Sequence, residues 1–291
     1  MTHSHRDITE LLERHGLSPR RAFGQNFVAD PNTVRRIARM AAGDQRDGLA
    51  STHVVEIGAG LGSLTLALAE TGARITAIEV DRGIVPVLRQ VVDDAGVDVR
   101  IVEGDAREVD WNDIIEPGTT ATVVANLPYN VATPLVADLL DTVPAITRFV
   151  VMVQKEVAQR LAAKPGSSDY GAVSVKVAYW GSARILGDVP PTVFVPRPKV
   201  TSSIIEILRA PQPAVGPHNG VDITPEQLFK VVRTAFGQRR KMLRRSLAAI
   251  ATPENFAQAG VSPEARPEDL DVTQWGRLAA AICGGSGGEK C

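Results

Sequence analysis

Several features that would point to particular classes of protein are scarce or missing. The only cysteines are Cys283 and Cys291, which fall within the last nine residues. They can form neither a disulfide framework nor a metal cage without other ligands, so we expect no redox or zinc function. No apolar run approaches the roughly 18 residues of a membrane span, and the polar start has no apolar core like that of a signal peptide. We expect a cytoplasmic protein with no membrane partner and no bound metal.

An excess of either charge is also missing. The chain has 32 Lys and Arg against 33 Asp and Glu, a net charge of −1, whereas proteins that bind nucleic acids usually carry extra Lys and Arg. The average hides a local cluster, because positions 230–245 contain seven basic residues and no acidic one. The length of 291 residues, with 44% hydrophobic, favours about two globular domains, and no internal repeat is present.

Short apolar runs alternate with helix-sized segments between residues 53 and 153. Continuous apolar strands separated by helices are typical of a parallel sheet that is covered on both faces. The pattern therefore predicts an α/β, doubly wound sheet. Two further strand-like runs, at 183–189 and 202–208, are predicted to finish this sheet as an antiparallel end.

A segment rich in Pro and Gly predicts the domain boundary. It interrupts all periodicity after residue 210, and Thr224-Pro-Glu-Gln then provides a helix-start signal. We predict a first domain at 1–210, a linker at 211–220 and a small helical domain at 221–283. The last segment, 284–291, is flexible by composition.

A glycine-rich turn, Glu56-Ile-Gly-Ala-Gly-Leu-Gly, lies between the first strong strand and a helix. Gly58 and Gly60 allow a sharp turn and the close approach of a ligand. Glu79 ends the next strand, 21 residues after Gly58, at the spacing where a carboxylate meets ribose hydroxyls. The turn and this carboxylate together predict a nucleoside cofactor.

The same turn distinguishes between two nucleoside cofactors. A dinucleotide fingerprint requires glycine at position 63, where this chain has Ser63. Glu56 is also unlike that fingerprint, and a carboxylate so placed orients the loop or faces a positively charged group. The turn therefore favours S-adenosylmethionine over NAD. Polar groups at two further strand ends, Asp105 and Asn126, belong to the same predicted edge.

The tetrapeptide that begins at Asn126 suits methylation of an amine on a planar base. Such an amine attacks poorly unless acceptors hold its two hydrogens and favour a tetrahedral nitrogen. The Asn126 side-chain oxygen and a backbone carbonyl at Leu127 or Pro128 are the predicted acceptors. Tyr129 is predicted to stack on the base, and Phe194 to cover its second face. No general base is required, because the nitrogen becomes acidic only after methylation.

The basic cluster beside a predicted methyltransferase site is predicted to bind nucleic-acid phosphates. On a continuous helix Leu243, Leu247 and Ile250 would form one apolar stripe and leave the basic side chains exposed. Two cations beside Phe194 are predicted to extend the basic surface. The predicted RNA-binding residues are Arg233, Arg239, Arg240, Lys241, Arg244, Arg245, Arg197 and Lys199.

Six motifs occur in the order found in one known family. They are Phe23-Gly-Gln-Asn-Phe, Glu56-Ile-Gly-Ala-Gly, Asn126-Leu-Pro-Tyr-Asn, Gln154-Lys-Glu-Val-Ala-Gln-Arg-Leu, Phe194-Val-Pro-Arg-Pro-Lys-Val-Thr-Ser and Phe236-Gly-Gln-Arg-Arg-Lys. On these motifs the chain resembles the ribosomal small-subunit RNA adenine dimethyltransferases from about residue 20 to 247. The resemblance implies a methyltransferase domain followed by a small helical domain. It also implies dimethylation of N6 on two adjacent adenines in a hairpin near the 3′ end of 16S RNA.

The resemblance also implies roles for individual residues. Asn26 and Val28 would touch or cover the methionine end of the cofactor, Asp105 would take its adenine amine, and Asn126 would lie between cofactor and target. The full set of predicted cofactor-binding residues is Asn26, Val28, Glu56, Gly58, Gly60, Glu79, Asp105, Ala106 and Asn126. The chain departs from the family pattern at Val28, where Leu is usual, and at Ala59, where Pro is common. A backbone contact survives either change.

Three other functions remain open at this point. A large-subunit RNA adenine methyltransferase of the antibiotic-resistance type shares the cofactor motifs and the tetrapeptide. A DNA adenine methyltransferase is less favoured, because that class typically has Pro rather than Leu at position 127. A related assembly or transcription factor would bind nucleic acid without turnover. We expect a monomer whose partner is small-subunit RNA in a pre-ribosomal particle.

Overall fold

The computed structural model describes residues 2–20, 24–42, 53–128, 131–218 and 220–284. Its strands are β1 (Phe27–Val28), β2 (His53–Ile57), β3 (Arg74–Glu79), β4 (Val99–Glu103), β5 (Ala121–Asn126), β6 (Ile146–Gln154), β7 (Gly181–Val189), β8 (Phe194–Val195) and β9 (Ser202–Arg209). Its α-helices are α1 (His5–Arg14), α2 (Pro31–Ala42), α3 (Ser63–Ala69), α4 (Val85–Ala95), α5 (Trp111–Ile114), α6 (Ala132–Thr142), α7 (Lys155–Ala162), α8 (Ala172–Trp180), α9 (Pro225–Phe236), α10 (Leu243–Ser246), α11 (Pro253–Ala259) and α12 (Val272–Cys283).

A seven-stranded sheet forms the centre of the first part of the chain. Its strand order is β4-β3-β2-β5-β6-β9-β7. Strands β4, β3, β2, β5 and β6 are parallel, and β9 pairs with β6 in the antiparallel direction. The predicted doubly wound sheet with an antiparallel end is confirmed. The chain order reverses between β2 and β5, and open α/β sheets bind ligands at the carboxyl ends of the strands at such a reversal.

Apolar side chains on helices and strands form the core of this first unit, which comprises Met1–Ala158 and Arg184–Leu208. Val34 and Ile37 of α2 pack with Leu68 of α3 and with the strand residues Val54 and Val124. A second cluster joins α1 to the glycine-rich turn and to the short β1–β8 pair. The residues of that cluster include Ile8, Leu12, Phe27, Leu61, Leu66 and Val87. Helix α1 therefore belongs to the structure that surrounds the turn.

The second unit comprises Gln159–Ala183 and Arg209–Cys291. Its helices bury Leu228, Trp275 and Leu278. This division differs from the predicted first domain at 1–210, since residues 159–183 belong to the helical unit. The reason is that Tyr170 and Tyr179 are buried in the same cluster as α9 and α12. Helix α12 ends at Cys283, and Cys291 lies outside the described residues.

The predicted helix through the basic cluster is wrong. Residues 237–241 form turns, and α10 spans only Leu243–Ser246. The backbone N–H groups of Leu243 and Arg244 donate to the carbonyls of Ala265 and Pro263, so a neighbouring segment takes the place of a preceding helical turn. Leu243 and Leu247 are fully buried as the apolar stripe predicted, but Arg240 precedes the helix.

In the described part of the chain, no helix is both long and apolar enough to cross a membrane. Nor do these described residues include a group of three or more His, Cys, Asp or Glu side chains that could hold a metal ion.

Candidate active site

A cleft of about 840 Å³ opens at the carboxyl ends of the parallel strands of the first unit. The lining residues come from the N-terminal loop with β1, the glycine-rich turn, the starts of α3 and β8, and the ends of β3 and β5. They are Gly24, Gln25, Asn26, Phe27, Val28, Glu56, Gly58, Ala59, Gly60, Leu61, Ser63, Leu64, Glu79, Val80, Asn126, Leu127, Pro128 and Phe194. Ten of the residues predicted to bind the cofactor or act on the base therefore lie around one cavity: Asn26, Val28, Glu56, Gly58, Gly60, Glu79, Asn126, Leu127, Pro128 and Phe194.

The glycine-rich turn leaves space at one position and none at another. Gly58 is exposed, has φ +74°, and a Cβ placed there would meet no atom within 4 Å. Gly60 has φ +57°, and a Cβ there would lie 3.1 Å from the Phe27 ring. Glycine is therefore required at 60 by packing as well as by conformation, whereas at 58 it keeps the cleft open.

Glu79 holds the turn from the neighbouring strand. It is buried at the end of β3, and its two carboxylate oxygens accept hydrogen bonds from the backbone N–H groups of Gly60 (2.7 Å) and Asp81 (2.9 Å). Burial raises the pKa of Glu79, although these hydrogen bonds oppose the rise. A carboxylate has about four acceptor sites, so these bonds leave Glu79 able to accept a hydroxyl group as well.

Glu56 is buried beneath the turn. Its Oε2 accepts a hydrogen bond of 2.6 Å from the Thr65 hydroxyl, which lies on α3. Burial raises the pKa of Glu56 to about 8, the Thr65 hydrogen bond opposes this, and the nearby Glu79 carboxyl adds to it. Glu56 thus ties the end of β2 to the following helix and lies against the wall of the cleft.

The Asn126 carboxamide has a fixed orientation. Its Nδ2 donates a hydrogen bond of 2.8 Å to the backbone carbonyl of Asn26, and the Asn26 side chain donates in turn to the Gly24 carbonyl (3.0 Å). Because the nitrogen side of the carboxamide is occupied, Oδ1 is left as an acceptor. The N-terminal loop also approaches the tetrapeptide closely, since a Cβ on Gly24 would lie 2.7 Å from Pro128 Cβ.

The backbone carbonyls of Leu127 and Pro128, the two candidate acceptors for the target amine, differ in the hydrogen bonds that they already accept. The Pro128 carbonyl accepts from the N–H groups of Val131 and Ala132, both at 3.0 Å, at the start of α6. The Leu127 N–H donates to the Met152 carbonyl (3.0 Å), which fixes this residue against β6. Among the described residues no donor reaches the Leu127 carbonyl, so of the two alternatives Leu127 is the acceptor that the structure favours.

Of the two residues predicted to stack on the target base, Phe194 and Tyr129, the structure describes only Phe194. Phe194 lines the cleft but is only 2% exposed, because β8 pairs with β1 and Phe194 lies opposite Val28. Its ring is therefore largely part of the core. Tyr129 lies outside the described residues.

Two predicted cofactor contacts lie away from the lining of the cleft. Asp105 follows β4 and forms a two-point ion pair with Arg107, at 2.6 and 3.1 Å. The hydrogen bonds from Arg107 lower the pKa of Asp105. Ala106 is buried, and its carbonyl accepts from the indole N–H of Trp111. Asp105 is expected to accept a hydrogen bond from the adenine amine of the cofactor. Both of its carboxylate oxygens already accept from Arg107, so part of its acceptor capacity is occupied.

Residues 16–282 match the model of the family described as ribosomal RNA adenine dimethylase. The chain belongs to this family. The protein named ribosomal RNA small subunit methyltransferase A from Bifidobacterium longum (strain DJO10A) is 44% identical, over 96% of this chain and 93% of the relative.

Solved structures agree on the fold. A dimethyladenosine transferase from Plasmodium falciparum has a TM-score of 0.69 and 22% identity, and the match covers 86% of this chain and 94% of that one. The 23S rRNA methyltransferase ErmE has a TM-score of 0.64 and 23% identity, with 88% and 99% covered. At these identities the likeness shows the shared Rossmann-like methyltransferase fold. It does not distinguish a small-subunit from a large-subunit substrate.

The predicted RNA contacts of this adenine dimethylase separate into two groups. Arg239 forms an ion pair of 2.7 Å with Glu268 and donates to the Ser168 carbonyl, so it holds the helical unit together. The others are exposed: Arg233, Arg240, Lys241, Arg244 and Arg245 in the helical unit, and Arg197 and Lys199 in the first unit. Arg244 lies 3.6 Å from Glu264, but both side chains are at least half exposed, so the pair is weak.

Sequence reasoning missed several residues of the cleft. Gln25 belongs to the motif Phe23-Gly-Gln-Asn-Phe and could have been found from its place between two quoted residues. Val80 follows directly after a strand end, which is the signal that identified Glu79. His3, which does not line the cleft itself, gave no signal, yet its Nδ1 lies 3.2 Å from the hydroxyl of the lining residue Ser63 at the start of α3.

Proposed function

We propose that this chain transfers methyl groups from S-adenosylmethionine to N6 of two adjacent adenosines in small-subunit rRNA, four transfers in all. The target is a hairpin near the 3′ end of that RNA within a pre-ribosomal particle. The observation that carries the proposal is the hydrogen bond from Asn126 Nδ2 to the Asn26 carbonyl, which leaves Oδ1 as an acceptor. Family membership and the name of the 44% identical relative support the choice of substrate.

The residues of the cleft fit S-adenosylmethionine. Gly58 leaves open space over the turn, and Glu79 keeps lone pairs for the ribose hydroxyls. Asn26 and Val28 line the same cavity and would lie against the methionine end. When bound, this cofactor supplies an electrophilic methyl group on a positively charged sulfur.

The chain's own contribution is to make the target amine nucleophilic. The amine lone pair is delocalised into the adenine ring. In the first transfer to each base, two acceptors on the two amine hydrogens favour a tetrahedral nitrogen with a localised lone pair. Asn126 Oδ1 and the Leu127 carbonyl are the two acceptors, since the Pro128 carbonyl already accepts from α6. No side chain needs to remove a proton before attack, because the methylated nitrogen is cationic and then loses its proton readily.

The exposed cations of the helical unit are proposed to bind RNA phosphates. Arg240, Lys241, Arg244 and Arg245 are all exposed, and only Arg244 has an acidic side chain within 4 Å in the described part of the chain. Phosphate contacts of this kind position a nucleic acid without reading its sequence. Arg239 is excluded from this group because Glu268 neutralises it.

Methyl transfer to isolated ribosomal subunits tests the proposal. Small subunits that lack the modification, large subunits and DNA are each incubated with S-adenosylmethionine carrying a radiolabelled methyl group. We expect label only in small-subunit RNA, as N6,N6-dimethyladenine. Label on large subunits would favour a resistance-type methyltransferase, and binding without label would favour an assembly factor.

Two substitutions at one position serve as controls within this experiment. Asn126→Ala removes the acceptor and is expected to lower the rate at least about 100-fold, by analogy with the loss of one preorganised hydrogen bond at a reacting centre. Asn126→Asp keeps acceptor oxygens but places a carboxylate against the Asn26 carbonyl, so its rate should also fall. Activity that survives Asn126→Ala would show that the reacting amine lies elsewhere.

A further inference from the structure

A buried carboxylate just beyond β3 has no role in the proposed reaction. Asp81 is 2% exposed. Its Oδ1 accepts from the guanidinium of Arg20 (3.1 Å) and from the backbone N–H of Gly83 (2.9 Å). Its Oδ2 accepts a hydrogen bond of 2.8 Å from Gln25 Nε2. Asp81 therefore connects the end of β3 to the N-terminal loop.

The Gln25 carboxamide is held at both ends. While its Nε2 donates to Asp81, its Oε1 accepts from the backbone N–H of Arg20 (2.8 Å). The next residue is Asn26, whose carbonyl accepts from Asn126 Nδ2 (2.8 Å). Three side chains from distant parts of the sequence thus form one chain of hydrogen bonds, from Asp81 through the Gln25–Asn26 backbone to Asn126.

We infer that Asp81 and Gln25 are positioning residues that hold the Asn26 carbonyl against Asn126 and so set which end of the Asn126 carboxamide faces the target amine. The inference rests on the proposed function for its target. A carboxamide is nearly symmetric in shape, so only its hydrogen bonds decide its orientation. If the Asn26 carbonyl moves away, the carboxamide can turn over and present Nδ2, a donor, to an amine that needs an acceptor.

The same chain of hydrogen bonds continues to the cofactor side of the cleft. The backbone N–H of Asp81 donates to Glu79 Oε1 (2.9 Å), and Glu79 Oε2 accepts from Gly60 (2.7 Å). The carboxylate proposed to bind ribose and the carboxamide proposed to bind the target are therefore joined through Asp81 and Gln25. Residues that orient the ligands of a metal site change activity about 10- to 100-fold when removed, and we expect a loss of similar size here.

The test combines kinetics with a signal from Asn126 itself. In ¹⁵N-labelled protein without cofactor or RNA, the side-chain amide signal of Asn126 is assigned by its loss in Asn126→Asp. Gln25→Ala should shift this signal towards that of a solvent-exposed carboxamide. The variant should also lower kcat for methyl transfer about 10- to 100-fold, with KM for small subunits little changed. The thermal midpoint should fall, because the buried Asp81 carboxylate loses a donor, and kcat is therefore measured well below the midpoint.

Exchanging the carboxamide and the carboxylate between positions 25 and 81 tests whether their hydrogen bond restores activity. Gln25→Glu alone places two carboxylates together and should lower kcat. The double variant Gln25→Glu with Asp81→Asn restores a donor facing an acceptor, and it should recover most of the rate and the Asn126 signal. Arg35→Gln, which removes an exposed ion pair with Glu70 in the same unit, is the control and should leave both readings unchanged.

An Asn126 signal that does not move in Gln25→Ala would overturn the inference, whatever happens to kcat. A double variant that recovers neither the signal nor the rate would do the same. A wild-type protein that transfers no methyl group to small subunits would instead contradict the proposed function. The amide signal would then still decide whether Gln25 and Asp81 orient Asn126.

Discussion

At the scale of single residues, two buried carboxyl groups of the cleft, Glu56 and Glu79, differ in their hydrogen bonds. Glu56 is buried, with one hydrogen bond from Thr65, and Glu79 is buried with two from backbone N–H groups. Glu79 thus receives more hydrogen bonds than Glu56, which favours its charged form, the form that the proposed ribose contact requires. Glu56, with a pKa near 8, carries a proton at neutral pH for most of the time.

Glu56→Gln is expected to change how stability depends on pH. Because the folded pKa of Glu56 is about 8 against an ordinary value of 4.5, the folded state holds a proton that the unfolded state has lost between these two values. The contribution of the Glu56 proton to the free energy of unfolding is complete below pH 4.5. It declines as pH rises towards 8, by up to about 1.4 kcal/mol per pH unit. Glutamine keeps the Thr65 hydrogen bond and does not titrate.

Urea unfolding of both proteins at pH 5.5, 6.5 and 7.5 measures this difference. The free energy of unfolding of the wild type should fall relative to that of the variant as pH rises. Other titrating groups act equally on both proteins and cancel in the comparison. Parallel curves would mean that Glu56 has an ordinary pKa in the folded protein.

Gly24→Ala should cost both stability and activity. Its Cβ would lie 2.7 Å from Pro128 Cβ, and φ is +59°. Gly16→Ala is a matched control, because φ is +61° and the added Cβ meets nothing within 4 Å. The control should lose only about 1 to 2 kcal/mol from the left-handed conformation. Chemical unfolding and methyl transfer are measured on both, and equal losses would show that contact with Pro128 is unimportant.

At the scale of elements, an ion network joins the antiparallel end of the sheet to a helix. Glu206 of β9 is 2% exposed and accepts from Arg148 of β6 and Arg184 of β7. Arg148 also donates to the carbonyls of Met40 (2.7 Å) and Ala41 (3.1 Å) in the last turn of α2. A cation at a helix C-terminus satisfies carbonyls that have no partner within the helix.

Glu206→Gln and Arg184→Gln should therefore differ in their effect on stability. Glu206→Gln leaves Arg148, whose side chain is 23% exposed, without a carboxylate and should cost about 2 kcal/mol. Arg184 has a side chain that is 71% exposed, so Arg184→Gln should cost under about 1 kcal/mol. Urea unfolding at pH 7 compares them. Equal losses would indicate that the network is a surface interaction throughout.

The accuracy of sequence reasoning differed among elements. Strands β2, β3 and β5 were predicted from their apolar runs, because a buried parallel strand is apolar on both faces. The prediction of a continuous helix through Arg240 was wrong. Leu243 and Leu247 have helical spacing, but the residues before α10 form a turn, so the spacing did not show where the helix begins. The two leucines are buried as their spacing predicts. The backbone N–H of Leu243, however, donates to the Ala265 carbonyl, and a contact between residues so far apart cannot be predicted from the local sequence.

At the scale of the whole molecule, a neutral average charge conceals an unequal distribution. The chain carries 32 basic and 33 acidic residues. Within the helical unit, Met242 and the four cations that flank it in the sequence, Arg240, Lys241, Arg244 and Arg245, are all exposed. A surface of this kind suits a nucleic-acid backbone.

Removing two of these charges should change the salt dependence of RNA binding. The double variant Arg240→Gln with Arg244→Gln should bind small subunits more weakly and reduce the slope of log K against log salt by about 2. Arg14→Gln with Arg89→Gln removes the same charge from exposed positions in the first unit and serves as the control. A filter-binding series over salt concentrations measures both, and an unchanged slope in the first variant would exclude phosphate contacts at these residues.

The sequence by itself determined the α/β class, the glycine-rich turn, the carboxylate Glu79 and the tetrapeptide at Asn126. Each depends on apolar periodicity or on residues close together along the chain. Only the tertiary structure decided that residues 159–183 join the helical unit, that Arg239 pairs with Glu268, and that Gln25 connects Asp81 to the loop beside Asn126. These contacts join positions far apart in sequence, 56 residues for Gln25 and Asp81 and 100 for Asn26 and Asn126, and packing alone brings them together.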